Sequence, residues 1–210
     1  MSFDLSQTDK LLTTTRAVRK RLDLGRDVPR DVILDCIRIS QQAPTGSNTQ
    51  GWRWMVVYDA KKRAALSDLY RRGGEAYLGS AAQNTDDPQT KRVYDSALWL
   101  VDNLQNVPVH VIPCQAGRLP DGVPAGMQAG FYGSIFPAVW SFQLALRSRG
   151  LGSVLTTLHL GLEREAAKLL DLPDAFTQVA LLPVAYTKGG EFRHATRPPA
   201  EDITRFDTWS

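Results

Sequence analysis

Helical and strand-like stretches mix irregularly along these 210 residues, a pattern that predicts an α+β protein: a central sheet flanked by helices. Three observations carry the prediction. Strands and helices do not follow the regular βαβ order of a doubly wound sheet. No G-x-G-x-x-G follows a strand, so the usual dinucleotide fingerprint is missing. No repeat or linker divides the chain, and residues 1–210 read as a single domain.

Taken in order, residues 5–15 end in three threonines and lead into "RAVRKR", where Arg16, Arg19, Lys20 and Arg21 are basic. In "DVPRDVILDCIRISQQAP" Asp27 can cap a helix and Pro29 suits its first turn. Val32, Ile33, Cys36, Ile37 and Ser40 then fall on one face, and Pro44 stops it. A polar loop follows, then a strand from Trp52 to Tyr58. Asp59 opens a helix that Gly73-Gly74 should end. Residues 74–90 read as mobile, "QTKRVYDSALWLVDNL" as helical and "VPVHVIPC" as a short buried strand bounded by prolines. The four Gly and two Pro of residues 115–130 argue against a packed element there. "FYGSIFPAVWSFQLALRSRG" reads as the longest helix, ended by Gly150. "GSVLTT" reads as a strand, "LEREAAKLLDL" as a helix, "QVALLPVAYT" as a final long strand, and the rest as an extended tail.

Composition narrows the function. With 43% hydrophobic and 22% charged residues the chain reads as globular, and its net charge of +3 is too small to imply nucleic acid without a reading motif. Cys36 and Cys114 sit in apolar surroundings and read as buried thiols. His110, His159 and His194 are isolated and form no metal-ligand spacing, so no metal is expected. The polar N-terminus lacks a signal peptide's apolar core and no stretch is long enough to span a bilayer; a cytoplasmic location is expected, with no membrane partner.

Two places can carry chemistry. The basic cluster, if more than a solvated face, offers arginine forks that suit a phosphate, beside three threonines; Arg197 in the tail adds another. The loop Pro44-Thr45-Gly46-Ser47-Asn48-Thr49-Gln50 carries more side-chain donors and acceptors than a plain turn needs. It could hydrogen-bond a planar ligand with polar edges.

Together these features resemble the nitroreductase family of FMN-dependent enzymes. "TRAVRKR" is similar to its R-x-S-x-R flavin motif and "APTGSNTQGWRW" to its A-P-S-G-x-N-x-Q-P-W stretch. "ALRSRGLGSVLTT" resembles its late helix-Gly-strand unit and "RPPAEDITRFDTW" its basic tail. The resemblance implies a nitroreductase-like fold, a mostly antiparallel sheet in an intertwined homodimer, with a variable lid or insert at about 74–130. It puts Arg16, Ala17 and Arg197 at the FMN phosphate and Arg19 at the pyrimidine edge of the flavin. Pro44, Thr45, Gly46, Asn48 and Gln50 would line a flavin held mainly by the other subunit. Backbone groups near Thr156, Thr157 and Leu158 would face its N5 side. The implied activity is hydride transfer from NAD(P)H, through FMN, to a nitroaromatic, quinone or similar small acceptor, with no catalytic side chain of the protein's own. A non-catalytic FMN-storage protein and a related flavin enzyme such as a reductive dehalogenase are the alternatives. Four departures from the pattern stand out: Ala17 in place of Ser, Arg21 where an aromatic is common, Gly51 in place of Pro, and "VAYTKG" where a G-Y-P-like turn is frequent.

Overall fold

The computed structural model describes residues 3–189 and 191–209. Its helices are α1 (Leu5–Thr14), α2 (Arg30–Ser40), α3 (Ala60–Gln83), α4 (Pro88–Asn103), α5 (Ala125–Gly133), α6 (Phe136–Ser148), α7 (Glu163–Leu170) and α8 (Ala200–Ile203). The strands are β1 (Trp52–Val57), β2 (Val109–Ala116), β3 (Leu151–Ser153), β4 (Phe176–Gln178) and β5 (Leu182–Tyr186). The sheet runs β1-β2-β5-β3 with β4 also on β2, and every pairing is antiparallel.

Both faces of this sheet are covered. Ile112 and Cys114 of β2 join the core under α3 and α4, while Val109 and Val111 join the core under α2 and α6. That is why β2 reads as a continuous apolar run rather than an alternating one. Trp52 and Trp54, two residues apart on β1, share the α6 face, and the Trp54 ring lies 5.1 Å from Phe142. Burial pushes the Cys36 thiol up to about 11 and Cys114 up to about 12, so both behave as apolar side chains.

Several elements differ from the sequence expectation, each for a packing reason. Gly73-Gly74 does not end α3, which continues to Gln83. A Cβ on Gly73 would lie 2.1 Å from the carbonyl oxygen of Leu158, and one on Gly74 2.3 Å from that leucine's Cδ1. The two glycines admit the 3-10 turn Leu158–Leu162 against the helix. Residues 74–90, expected to be mobile, are mostly helical in α3 and α4, joined where Asp87 accepts from Thr90 N and caps α4. Residues 115–130 contain the start of α5, and the single helix expected at 131–150 breaks at Ser134–Ile135 into α5 and α6. Gly150, at φ +75°, does mark the end of α6. Asp27 caps nothing; α2 begins after Pro29 without a side-chain cap.

The final strand is also divided. Leu181 exchanges both backbone hydrogen bonds with Thr156, Leu181 N donating at 2.8 Å and Thr156 N at 3.1 Å. This leaves β4 and β5 as separate partners of β2, and shortens the expected 152–157 strand to β3 plus the bridge at Thr156. The tail, expected to be extended, includes the single turn of α8.

Candidate functional site

The segment after α1 lies along the β3 margin of the sheet. Val18 N donates to Ser153 O at 2.9 Å and Asp23 N to Tyr186 O at 2.7 Å, and Leu22 bridges Thr187. Val18 and Leu22 are buried. They anchor the segment, and the basic residues around them remain at the surface or only partly covered.

The four basic side chains then part company. Arg21 fastens the tail, donating from Nε to Lys188 O at 2.8 Å with its guanidinium over the Phe192 ring. Arg16 donates from Nη1 to Arg193 O at 2.9 Å, and Lys20 is exposed. Arg19 is half-buried, and burial lowers its pKa from the ordinary value, opposed by neighbouring Tyr70. Among the described residues none of Arg16, Arg19 and Arg197 is in a salt bridge.

Two adjoining cavities share Arg16, Ala17, His194 and Ala195. One, of about 510 Å³, is completed by Leu12, Thr13, Thr15, Trp140 and Arg197; the other, of about 370 Å³, by residues including Arg19 and Arg92. No carboxylate is among the described residues lining either. A guanidinium keeps its charge at any physiological pH, and a partly desolvated one without a counter-ion is costly. The donor set therefore fits an anion with several acceptor oxygens, and a phosphate monoester answers that description.

Thr156 Oγ1 donates to the Tyr70 hydroxyl at 3.2 Å, the same phenol that the charge of Arg19 acts on. Its backbone groups are committed to Leu181, so Thr156 positions rather than donates. Thr157 is exposed, and its N–H donates to no other described residue. Leu158 is held against Gly73-Gly74. Of the three residues, Thr157 and Leu158 have backbone N–H groups that donate to no other described residue, and Thr157 is the exposed one.

The polar loop is built differently. Ser47, Asn48 and Gln50 all have φ near +50°, the left-handed region that costs a non-glycine residue roughly 1 kcal/mol or more. Gln50 Nε2 donates to Asn48 Oδ1 at 2.9 Å, and Gln50 N to Thr45 Oγ1 at 3.3 Å. Ser134, at the α5–α6 break, pins both ends: its Oγ accepts from Gly46 N at 3.0 Å, and its carbonyl accepts from Trp52 Nε1 at 2.6 Å. Pro44 lines a separate cavity of about 440 Å³ with Leu11, Pro137 and Arg149. So the structure brings Arg16, Ala17, Arg19 and Arg197 together, and sets Pro44, Thr45, Gly46, Asn48 and Gln50 apart from them. No local pattern marks Tyr70 or Ser134, and His194 reads only as an isolated histidine.

An α+β chain with a two-sided antiparallel sheet and a basic segment along its margin has a nitroreductase-like fold. The chain belongs to the Nitroreductase family, whose model matches residues 12–186. It is 23% identical to an iodotyrosine deiodinase from Thermotoga neapolitana over 209 residues, covering all of this chain and 99% of that one. Among solved structures, an iodotyrosine deiodinase bound to FMN and 3-iodo-L-tyrosine matches with a TM-score of 0.73 at 23% identity, over 95% of this chain and 98% of that one. The FMN-dependent nitroreductase from Mycobacterium smegmatis in complex with NADPH matches with a TM-score of 0.69 at 19% identity, over 98% and 100%.

Proposed function

We propose that this protein is an FMN-dependent oxidoreductase working as a homodimer. The observation that carries the reading is the cradle of Arg16, Arg19 and Arg197, three cations without a carboxylate partner among the described residues. Family membership and the FMN named for its structural neighbours support it. When bound, FMN supplies a two-electron relay from NAD(P)H to a nitroaromatic, quinone or similar small acceptor, the two taking turns in ping-pong order.

The chain's own residues bind and orient. Arg16 and Arg197 grip the phosphate, beside the Ala17 methyl. Arg19 stands at the pyrimidine edge, where a fixed cation favours negative charge on the ring; such a donor can be worth about 3 kcal/mol. Thr157 N–H is the backbone donor toward the N5 side. Asn48, with Thr45, Gly46 and Gln50 around it, offers amide and backbone groups to the flavin of the partner subunit. The strained backbone of that loop supports a binding role, since left-handed residues cluster where a ligand is held. Helix α5 has no buried residue although it is mostly apolar, and Met127, Tyr132 and Trp140 are exposed. Such a surface suits a subunit interface.

A second reading, reductive dehalogenation of an aromatic substrate at the same site, is favoured by the deiodinase match along the whole chain. One experiment separates the cases. Purified protein supplied with FMN should be a yellow dimer by absorbance and light scattering, and anaerobic NADPH should bleach it. Reoxidation by a nitroaromatic supports the first reading. Reduction by dithionite but not by NAD(P)H, with reoxidation by 3-iodotyrosine, supports the second. Failure to retain FMN at micromolar concentration sinks both.

A further inference from the structure

His194 borders both cavities that Arg16 and Ala17 share. Its Nε2 lies 3.2 Å from Thr13 Oγ1, and the Thr13 hydroxyl already donates its single proton to Asp9 O at 2.6 Å. In that contact the imidazole must therefore be the donor, through Nε2–H. Nδ1 is the ring nitrogen left for a ligand. As an imidazolium, the ring can give Nδ1–H to an anion as a charge-assisted hydrogen bond.

The surroundings ask for such a donor. Ala17, on the shared wall, has only a methyl where the resembling motif carries a hydroxyl. The charged groups lining the two cavities are Arg16, Arg19, Arg92 and Arg197, all cationic. Glu191, three residues from His194, is engaged by Lys10. The two cavities thus offer an anion arginine donors, the Ala17 methyl and this imidazole.

We propose that His194, held by Thr13, is a third phosphate ligand of the cofactor and stands in for the hydroxyl that position 17 lacks. The inference rests on reading this cavity as the FMN phosphate site, and FMN against riboflavin, which has no phosphate, tests the two separately. Apoprotein is titrated with each flavin, following quenching of flavin fluorescence. Wild type binds FMN at least tenfold tighter than riboflavin. His194→Ala loses about tenfold in FMN affinity, as expected for one charge-assisted contact, with riboflavin affinity unchanged. Ala17→Ser added to His194→Ala restores most of the loss. His194 is exposed, so thermal melts of these variants should match wild type.

Unchanged FMN preference in His194→Ala overturns the proposal and leaves the cavity assignment standing. Equal loss for FMN and riboflavin overturns it too, since the residue would then be supporting the tail and not the phosphate. Wild type that binds both flavins equally well removes the phosphate site itself.

Discussion

Replacing Gly73 with alanine tests the placement of the flavin-facing turn, and the sign of the effect is decided by one contact. In an open helix interior, Gly→Ala stabilises by about 1 kcal/mol because alanine loses less backbone freedom on folding. At position 73 the new Cβ would lie 2.1 Å from the Leu158 carbonyl oxygen and 3.0 Å from its carbonyl carbon. Both are backbone atoms and cannot rotate away. The turn must retreat by more than about 1 Å to reach ordinary contact, and overpacking of this kind costs about 1–3 kcal/mol. The control is in the same helix: a Cβ on Gly79 meets nothing within 4 Å. Gly79→Ala should therefore raise the urea midpoint and Gly73→Ala lower it, at unchanged m-value. Gly73→Ala should also weaken FMN binding, because displacing Leu158 moves the adjacent Thr157 N–H. If both substitutions stabilise alike, the turn does not pack on α3 and Thr157 is not where the mechanism needs it.

Acid should unfold this protein through its interior. Burial lowers the pKa of both His110 and His159 from 6.5 to about 4, and the nearby charge of His159 also opposes protonation of His110. Between those limits the unfolded chain binds more protons, so each ring contributes about 3 kcal/mol that is present above pH 6.5 and lost by pH 4. Urea midpoints should fall steeply from pH 7.5 to 5, and a flat profile would show that the rings are not buried neutral. Asn48→Gly tests the loop: it keeps the φ of +53° and removes the amide. It should lower FMN affinity roughly tenfold with little change in melting temperature, whereas a lower melting temperature with normal affinity would make the amide a turn device.

Much of this was legible beforehand, and the failures share a cause. In the basic segment the buried anchors are Val18 and Leu22, which stand four apart among charges and form no periodic stripe that would single them out. The loop between α2 and β1 and the ending of α6 at Gly150 follow from local chemistry. Gly73-Gly74 misled because the sequence cannot distinguish a glycine needed for a left-handed turn from one needed for close approach; here Leu158, far along the chain, makes the difference. The glycines of α5 read as loop because its apolar residues face outward and give no periodic stripe. The split between β4 and β5 depends on Leu181 finding Thr156, a pairing that no local window contains.

The distribution of the site over two chains is an inference from walls. Leu11 of α1 and Ser141, Leu144 and Ala145 of α6 line the cavity that holds Pro44, whereas Leu12 and Trp140 line the one that holds Arg16 and Arg197. Residues of α1 and α6 wall both, and the cavity that holds Pro44 shares no lining residue with the one that holds Arg16. A second copy can present its loop on the correct side. Complementation tests this directly. Arg16→Ala and Asn48→Gly proteins, each binding FMN weakly, are unfolded, mixed in equal amounts and refolded together. If each site takes Arg16 from one chain and Asn48 from the other, the mixed dimer holds one site with both lesions and one with neither. Random pairing then restores wild-type affinity to about a quarter of all sites, visible as a tight phase in the FMN titration that neither parent shows. If both residues act on the flavin of their own chain, every site in the mixture keeps one lesion and no tight phase appears.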